Sequence, residues 1–264
     1  MAPISYEISR PDYIWLRRGD ETLYGCDQDW YTIEWRRRAG CGPVAAANIL
    51  FYLRKKYDFE KIPYGNGDIG EAFAAMNDVF RFVRPKRRGL HTVKKFVNGM
   101  CKFGREYGVS FRYRYLLVRP QREFRPSLDE AARFIKDGLD CDVPVAFLNL
   151  DAGDVADQLQ SWHWVTVVGL TREEAQEHAN AQAAQAHANA QAAHDQAKHT
   201  PPGHEHAAHS MAVHSQKVIL RYYDQSESLE VDLGKWLGST YRGGGFAYFY
   251  NPTLRPAFDG GDIT

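Results

Sequence analysis

Residues 41–56, CGPVAAANILFYLRKK, place apolar side chains at helical spacing and close on Lys55 and Lys56, where cations complement the carbonyl end of a helix. A helix starting near Cys41 is therefore predicted, and Ala45, Ala46 and Ala47 let it lie close against a sheet. Pro43 suits the first turn, where its missing N–H costs nothing. Gly40 and Gly42 are expected to allow a tight turn into the helix and the close approach of a substrate backbone to the Cys41 thiol. Two further helices are predicted over 92–106 and 127–138, the second opened by Ser127 with Glu130 three residues on, the spacing of a capping box.

The second half of the chain changes character. VPVAFLNL (143–150), HWVTVVGL (163–170), KVILRYYD (217–224) and GFAYFY (245–250) are β-branched or aromatic runs bounded by turn residues, and each is expected as a strand of one sheet. The glycines at 243–245 are read as a turn or an edge bulge rather than a phosphate cradle, because no helix follows them. Helices first and strands later indicate an α+β class, N-terminal helices packed on a C-terminal antiparallel sheet, rather than alternating βαβ units. With 264 residues, 44% of them hydrophobic and 25% charged, the chain suits one packed domain over 1–264.

Within that domain residues 171–216 stand apart. HANAQAA at 178–184 recurs at 187–193, and eight of the ten histidines fall between 178 and 214. An Ala/Gln/His tract has little to bury, so it reads as an insertion in a loop between two strands. Its imidazoles have no thiolate or carboxylate pattern of a dedicated site, so neither a resident metal nor any cofactor is expected.

Lysine plus arginine and aspartate plus glutamate both number 33, so no global charge draws the chain to nucleic acid or an anionic membrane. Arg36-Arg37-Arg38 and Lys86-Arg87-Arg88 read as solvated faces. The N-terminus lacks the roughly 7 to 15 apolar residues of a signal peptide, and no stretch approaches the roughly 18 needed to span a bilayer. A cytoplasmic protein without membrane partners is the expectation, its cysteines at 26, 41, 101 and 141 free thiols with no CxxC spacing.

Chemistry concentrates at Cys41. The positive end of a helix lowers a thiol pKa from its usual value of about 8.5, which makes a nucleophile of a cysteine placed there. A helix-start turn over an inert buried thiol is the competing reading of the same residues. A cysteine nucleophile requires a base, and only His91 and His163 lie outside the His-rich tract. His163 opens one predicted strand and Asp224 ends the next, so antiparallel pairing would make imidazole and carboxylate neighbours. Trp30, Trp35, Trp162, Trp164 and Trp236 are assigned to the core rather than to a substrate groove, and Cys26, with no helix start of its own, is assigned a structural role.

A CGP-x-A helix start, a later strand beginning with His and a following strand ending in Asp resemble the bacteriocin-processing (double-glycine) peptidase-like group of papain-like cysteine peptidases. The resemblance spans roughly residues 20–250 without the insertion and is carried by AGCGPVAAANILFYL, SWHWVTVVGL and YYDQSESLEVDL, the first being the most specific. It implies a papain-like fold with Cys41 as nucleophile, His163 as base and Asp224 as the group that orients the base. In the family pattern an oxyanion-hole glutamine stands about six residues before the cysteine, where this chain has Trp35 and Arg36. Gln28, thirteen residues upstream, is the candidate if its segment curls back over the helix. Leader peptidases of this kind sit on transporters, so a free-standing member acting on some other peptide or protein is implied.

The expected function is therefore hydrolysis of a peptide or amide bond through an acyl-enzyme. Acyl transfer, including transglutaminase-like chemistry, shares that intermediate, and a non-catalytic binding module retaining the fold is the third reading.

Overall fold

The computed structural model describes residues 3–64, 67–87, 89–173 and 217–251. The chain opens with strand β1 (Ile4–Glu7) and the hairpin β2 (Leu16–Arg18) and β3 (Glu21–Leu23), followed by helices α1 (Glu34–Ala39), α2 (Cys41–Lys56), α3 (Ile69–Phe82) and α4 (Val93–Glu106). Strand β4 (Arg112–Val118), helix α5 (Leu128–Asp140), β5 (Val145–Asn149), β6 (His163–Glu173), β7 (Lys217–Asp224), β8 (Glu227–Asp232), helix α6 (Leu233–Ser239) and β9 (Gly244–Tyr250) complete it. The class is α+β. One sheet runs in the order β4-β9-β5-β6-β7-β8, every pair antiparallel, with β1 added beyond β5 along the same edge of β6.

Two features of that order depart from the sequence reading. Strands β1 to β3 precede the helices, and β4 lies between α4 and α5 yet pairs with the C-terminal β9, so helical and strand segments interleave. The helices also occupy both faces of the sheet. Phe96 of α4 stacks on Trp164 of β6 at 4.4 Å and lies 6.1 Å from Phe249 of β9, whereas Phe134 of α5 meets Tyr248 and Trp236 of α6 meets Phe147 on the opposite side. Neighbouring residues of β9 thus point into two separate apolar layers, which is why its sequence is aromatic throughout rather than alternating.

Local rules explain the individual elements. Ser127 and Glu130 form both bonds of the capping box at the start of α5, and Asp68 caps α3 by accepting from the Glu71 N–H. Helix α2 is buried from Cys41 to Leu53, packed on β6 and β5 with α3 over its other side. The glycines expected as a turn instead open β9 between β4 and β5: a Cβ at Gly244 would lie 1.9 Å from the Leu148 carbonyl oxygen and one at Gly245 2.3 Å from that of Leu116. Close backbone approach is what requires glycine there.

Strand β6 continues to Glu173, pairing with Lys217 of β7, so the expected insertion boundary at 171 falls inside a strand. Thr171 and Arg172 are held from both sides, by β7 and by Ser5 and Ile4 of β1. The His-rich tract from 178 to 214 lies outside the described residues. Among the described residues no helix is long and apolar enough to cross a membrane.

Candidate active site

The β6–β7 pairing sets the acid beside the base. Thr166 faces Tyr223 in the ladder, so the chain running back from Thr166 to His163 meets the end of β7 at Asp224. His163 Nε2 donates to Asp224 Oδ1 at 2.8 Å, which leaves Nδ1 free of the acid, and Cys41, the first residue of α2, is near enough to the ring to help hold its charge. All three groups are shielded from water, Cys41 at 7% exposed and His163 at 4%, with the Asp224 side chain at 11%.

Burial by itself disfavours an imidazolium, but the bonds to Asp224 and Cys41 outweigh it and raise the His163 pKa to about 10. The arrangement therefore favours a protonated imidazole at His163, held beside the Asp224 carboxyl and the Cys41 thiol.

Strained backbone flanks both partners. Trp162, immediately before the base, has φ +58°, and Gln225 and Ser226, immediately after the acid, have φ +46° and +64°. The latter two form the two-residue loop of the β7–β8 hairpin, in which Asp224 pairs with Glu227, a turn that needs positive φ at both central positions. Side chains other than glycine cost on the order of 1 kcal/mol or more in that region, a cost tolerated where the surroundings hold the geometry. Here the Ser226 carbonyl accepts from the Tyr24 N–H, and the Ser226 hydroxyl donates to the Gly25 carbonyl, so the hairpin tip is tied to the segment leading to Gln28.

Gln28 begins a short 3-10 turn over 28–30. Its segment does curl back over α2: the Cys26 N–H donates to Asn48 Oδ1, and the ring of Tyr31 packs where a Cβ at Gly40 would come within 2.5 Å of it. Gln28 Oε1 is buried without a hydrogen-bond donor among the described residues.

The glycines around Cys41 are also fitted closely to their own surroundings. Helix α1 runs directly into Gly40, where a Cβ would sit 2.4 Å from the Arg36 carbonyl oxygen, and a Cβ at Gly42 would meet Leu90 at 2.7 Å. Gly40 is thus required by the backbone packed against it, and Gly42 keeps room for the Leu90 side chain. Two of the tryptophans assigned to the core are also exposed, Trp162 at 47% and Trp35 at 42%, whereas Trp164 and Trp236 are buried. Position 162 lies just outside the strand, so the apolar face of β6 never reaches it. Cys26 is fully buried, and burial pushes its thiol pKa up, which suits its structural assignment.

Two buried asparagines hold the frame. Asn48 of α2 accepts from the Cys26 N–H and donates to Thr166 Oγ1, joining loop, helix and strand, and Asn149, which pairs with His163 across β5 and β6, donates to the Gln160 carbonyl and accepts from the Asp151 N–H and the Trp236 indole. Their signal in the sequence was a lone amide inside an apolar run, AAANIL and AFLNL, since a buried amide is kept only with partners. Comparison with protein-family models, characterised proteins and solved structures finds no match for this chain.

Proposed function

We propose that the chain is a cysteine peptidase-like hydrolase of the papain-like, double-glycine-peptidase-like type, working on peptide or amide bonds without a cofactor, in the cytoplasm. The observation that carries this reading is His163, fixed through Nε2 by Asp224 and held near Cys41 at the start of a buried helix. The Cys41 thiolate attacks the carbonyl carbon, and the oxyanion that forms is met by the Cys41 backbone N–H and the side-chain amide of Gln28. The His163 imidazolium gives its proton to the leaving nitrogen. A water then deprotonated by His163 opens the thioester, releasing the acid and returning the thiol.

The test is the pH dependence of Cys41 carboxamidomethylation by iodoacetamide, with Cys41→Ala identifying the signal of the other thiols. Rapid alkylation below pH 7 that disappears in His163→Ala is expected. An ordinary thiol titration, unchanged by His163→Ala, would replace the enzyme with a binding module of the same fold.

A further inference from the structure

The β2–β3 hairpin and the tip of the β7–β8 hairpin enclose a cleft of about 590 Å³. Its walls include Asp27, which precedes Gln28 in the chain, and Gln225, which follows Asp224, so its lining lies one residue along the chain from the proposed oxyanion donor and from the acid of the triad. Tyr24 and Trp30, both half-buried, supply aromatic surface, and the charged lining is Arg18, Glu21, Asp27 and Glu227. Arg18 is spent on Glu21, to which it donates at 2.7 and 2.9 Å. Among the described residues neither Asp27 nor Glu227 has an ion-pair partner.

We infer that this cleft is a substrate subsite that takes a cationic side chain, the ammonium or guanidinium of a peptide lysine or arginine, between the carboxylates of Asp27 and Glu227 and against the aromatic wall. The inference rests on the reading of the site as a peptide hydrolase and adds the class of substrate. It is the walled cavity that defines the site; the charges only choose its occupant. Burial raises the pKa of Asp27, with Asp224 nearby adding to it, and a cation docked beside it would relieve that penalty. An aliphatic stem suits the aromatic wall, and the charged head suits its faces. A neutral side chain of equal size would leave the carboxylates unpaired, so discrimination is expected to come from charge rather than shape.

Binding is measured on the full chain carrying Cys41→Ala, which cannot turn over, with N-acetyl-Gly-Lys-Gly-amide, its norleucine counterpart and n-butylamine as probes followed by ligand-observed NMR. The lysine peptide is expected to bind at least tenfold more tightly than the norleucine peptide. That preference should vanish when Asp27→Asn and Glu227→Gln are added, the asparagine still able to cap the turn by accepting from the Asp29 N–H. Equal binding of the two peptides, or a preference surviving both substitutions, would overturn the inference. Tighter binding of the peptide than of n-butylamine supports a peptide side chain as the source of the cation, and equal binding supports a free amine at the same site. Alkylation of Cys41 in the otherwise native chain is scored separately: an activated thiol without lysine preference removes the subsite and keeps the hydrolase, and lysine preference with an inert thiol does the reverse.

Discussion

The two ends of helix α2 are held in opposite ways. At its C-terminal end Asp142 accepts from the Ser9 N–H at 2.6 Å, the Ser9 hydroxyl at 2.8 Å, the Tyr52 hydroxyl at 2.6 Å and the Lys56 ammonium, so one carboxylate satisfies four donors from three residues. Burial alone would raise the pKa of Asp142, but those bonds prevail and lower it. At the N-terminal end there is no side-chain cap on α2, Gln28 Oε1 has no donor, and three residues in left-handed backbone surround the base and the acid. One end is closed for stability. The other leaves a buried amide oxygen unpaired at the end that carries Cys41, while left-handed backbone occurs at both, at Asp58 and Asp142 on the closed side.

The contrast predicts that substitutions at the two ends separate activity from stability. Cys41→Ala should lower hydrolysis of a fluorogenic peptide amide by about 10⁶-fold with the urea midpoint unchanged, since the nucleophile acts as a unit with its base. Asp224→Asn keeps the shape but favours the wrong tautomer of His163, and a fall in kcat of about 10⁴-fold is expected from the same assay. Gln28→Ala should cost about 10² to 10³ in kcat with little change in KM, the mark of a donor used in the transition state. It should also leave stability equal or higher, because it removes an orphaned buried acceptor. A loss of stability as large as the loss of activity would move Gln28 from the active site to the frame.

At the far end the expected effects exchange places. Asp142→Ala strands Tyr52, Lys56 and the Ser9 N–H, and a loss of about 2 kcal/mol in urea denaturation is expected. Activity per folded molecule should be unchanged. If kcat fell with it, strain would be passing along the helix to Cys41 and the two ends would not be independent.

Much of the site is readable in the sequence because each of its parts is tied to a local pattern. Cys41 stands at a helix start, and His163 and Asp224 stand at the ends of consecutive β-rich runs, so a single assumption of antiparallel pairing brings them together. What escapes is non-local. Helix α3 carries Gly70, Asn77 and Asp78 inside its span, and its cap, Asp68 accepting from Glu71, becomes decisive only because α2 supplies a face to bury it. Strand β4, RYRYLLV, is legible as a strand, but its place beside β9, more than a hundred residues later, depends on the three glycines that let the backbones meet. The role of Gly40 is hidden for the same reason, since nothing in AGCGP announces the ring of Tyr31.

Proton binding at His163 sharpens the comparison further. Burial opposes charge on His163, but the bonds to Asp224 and Cys41 prevail and raise its pKa from 6.5 to about 10. A group whose pKa is higher folded than unfolded stabilises the folded state in full below the unfolded value, and that contribution is lost as pH rises through the folded one. The urea midpoint of the native chain should therefore decline from about pH 6.5 to pH 10 relative to His163→Gln, whose neutral side chain has no proton to lose. Asp142→Ala should shift the midpoint by the same amount at every pH in that window, because carboxylate titration ends well below it. Parallel curves for the native chain and His163→Gln would mean that the imidazole is neutral in the folded state at pH 7, and the proposed thiolate would have to give way to a thiol deprotonated only during attack.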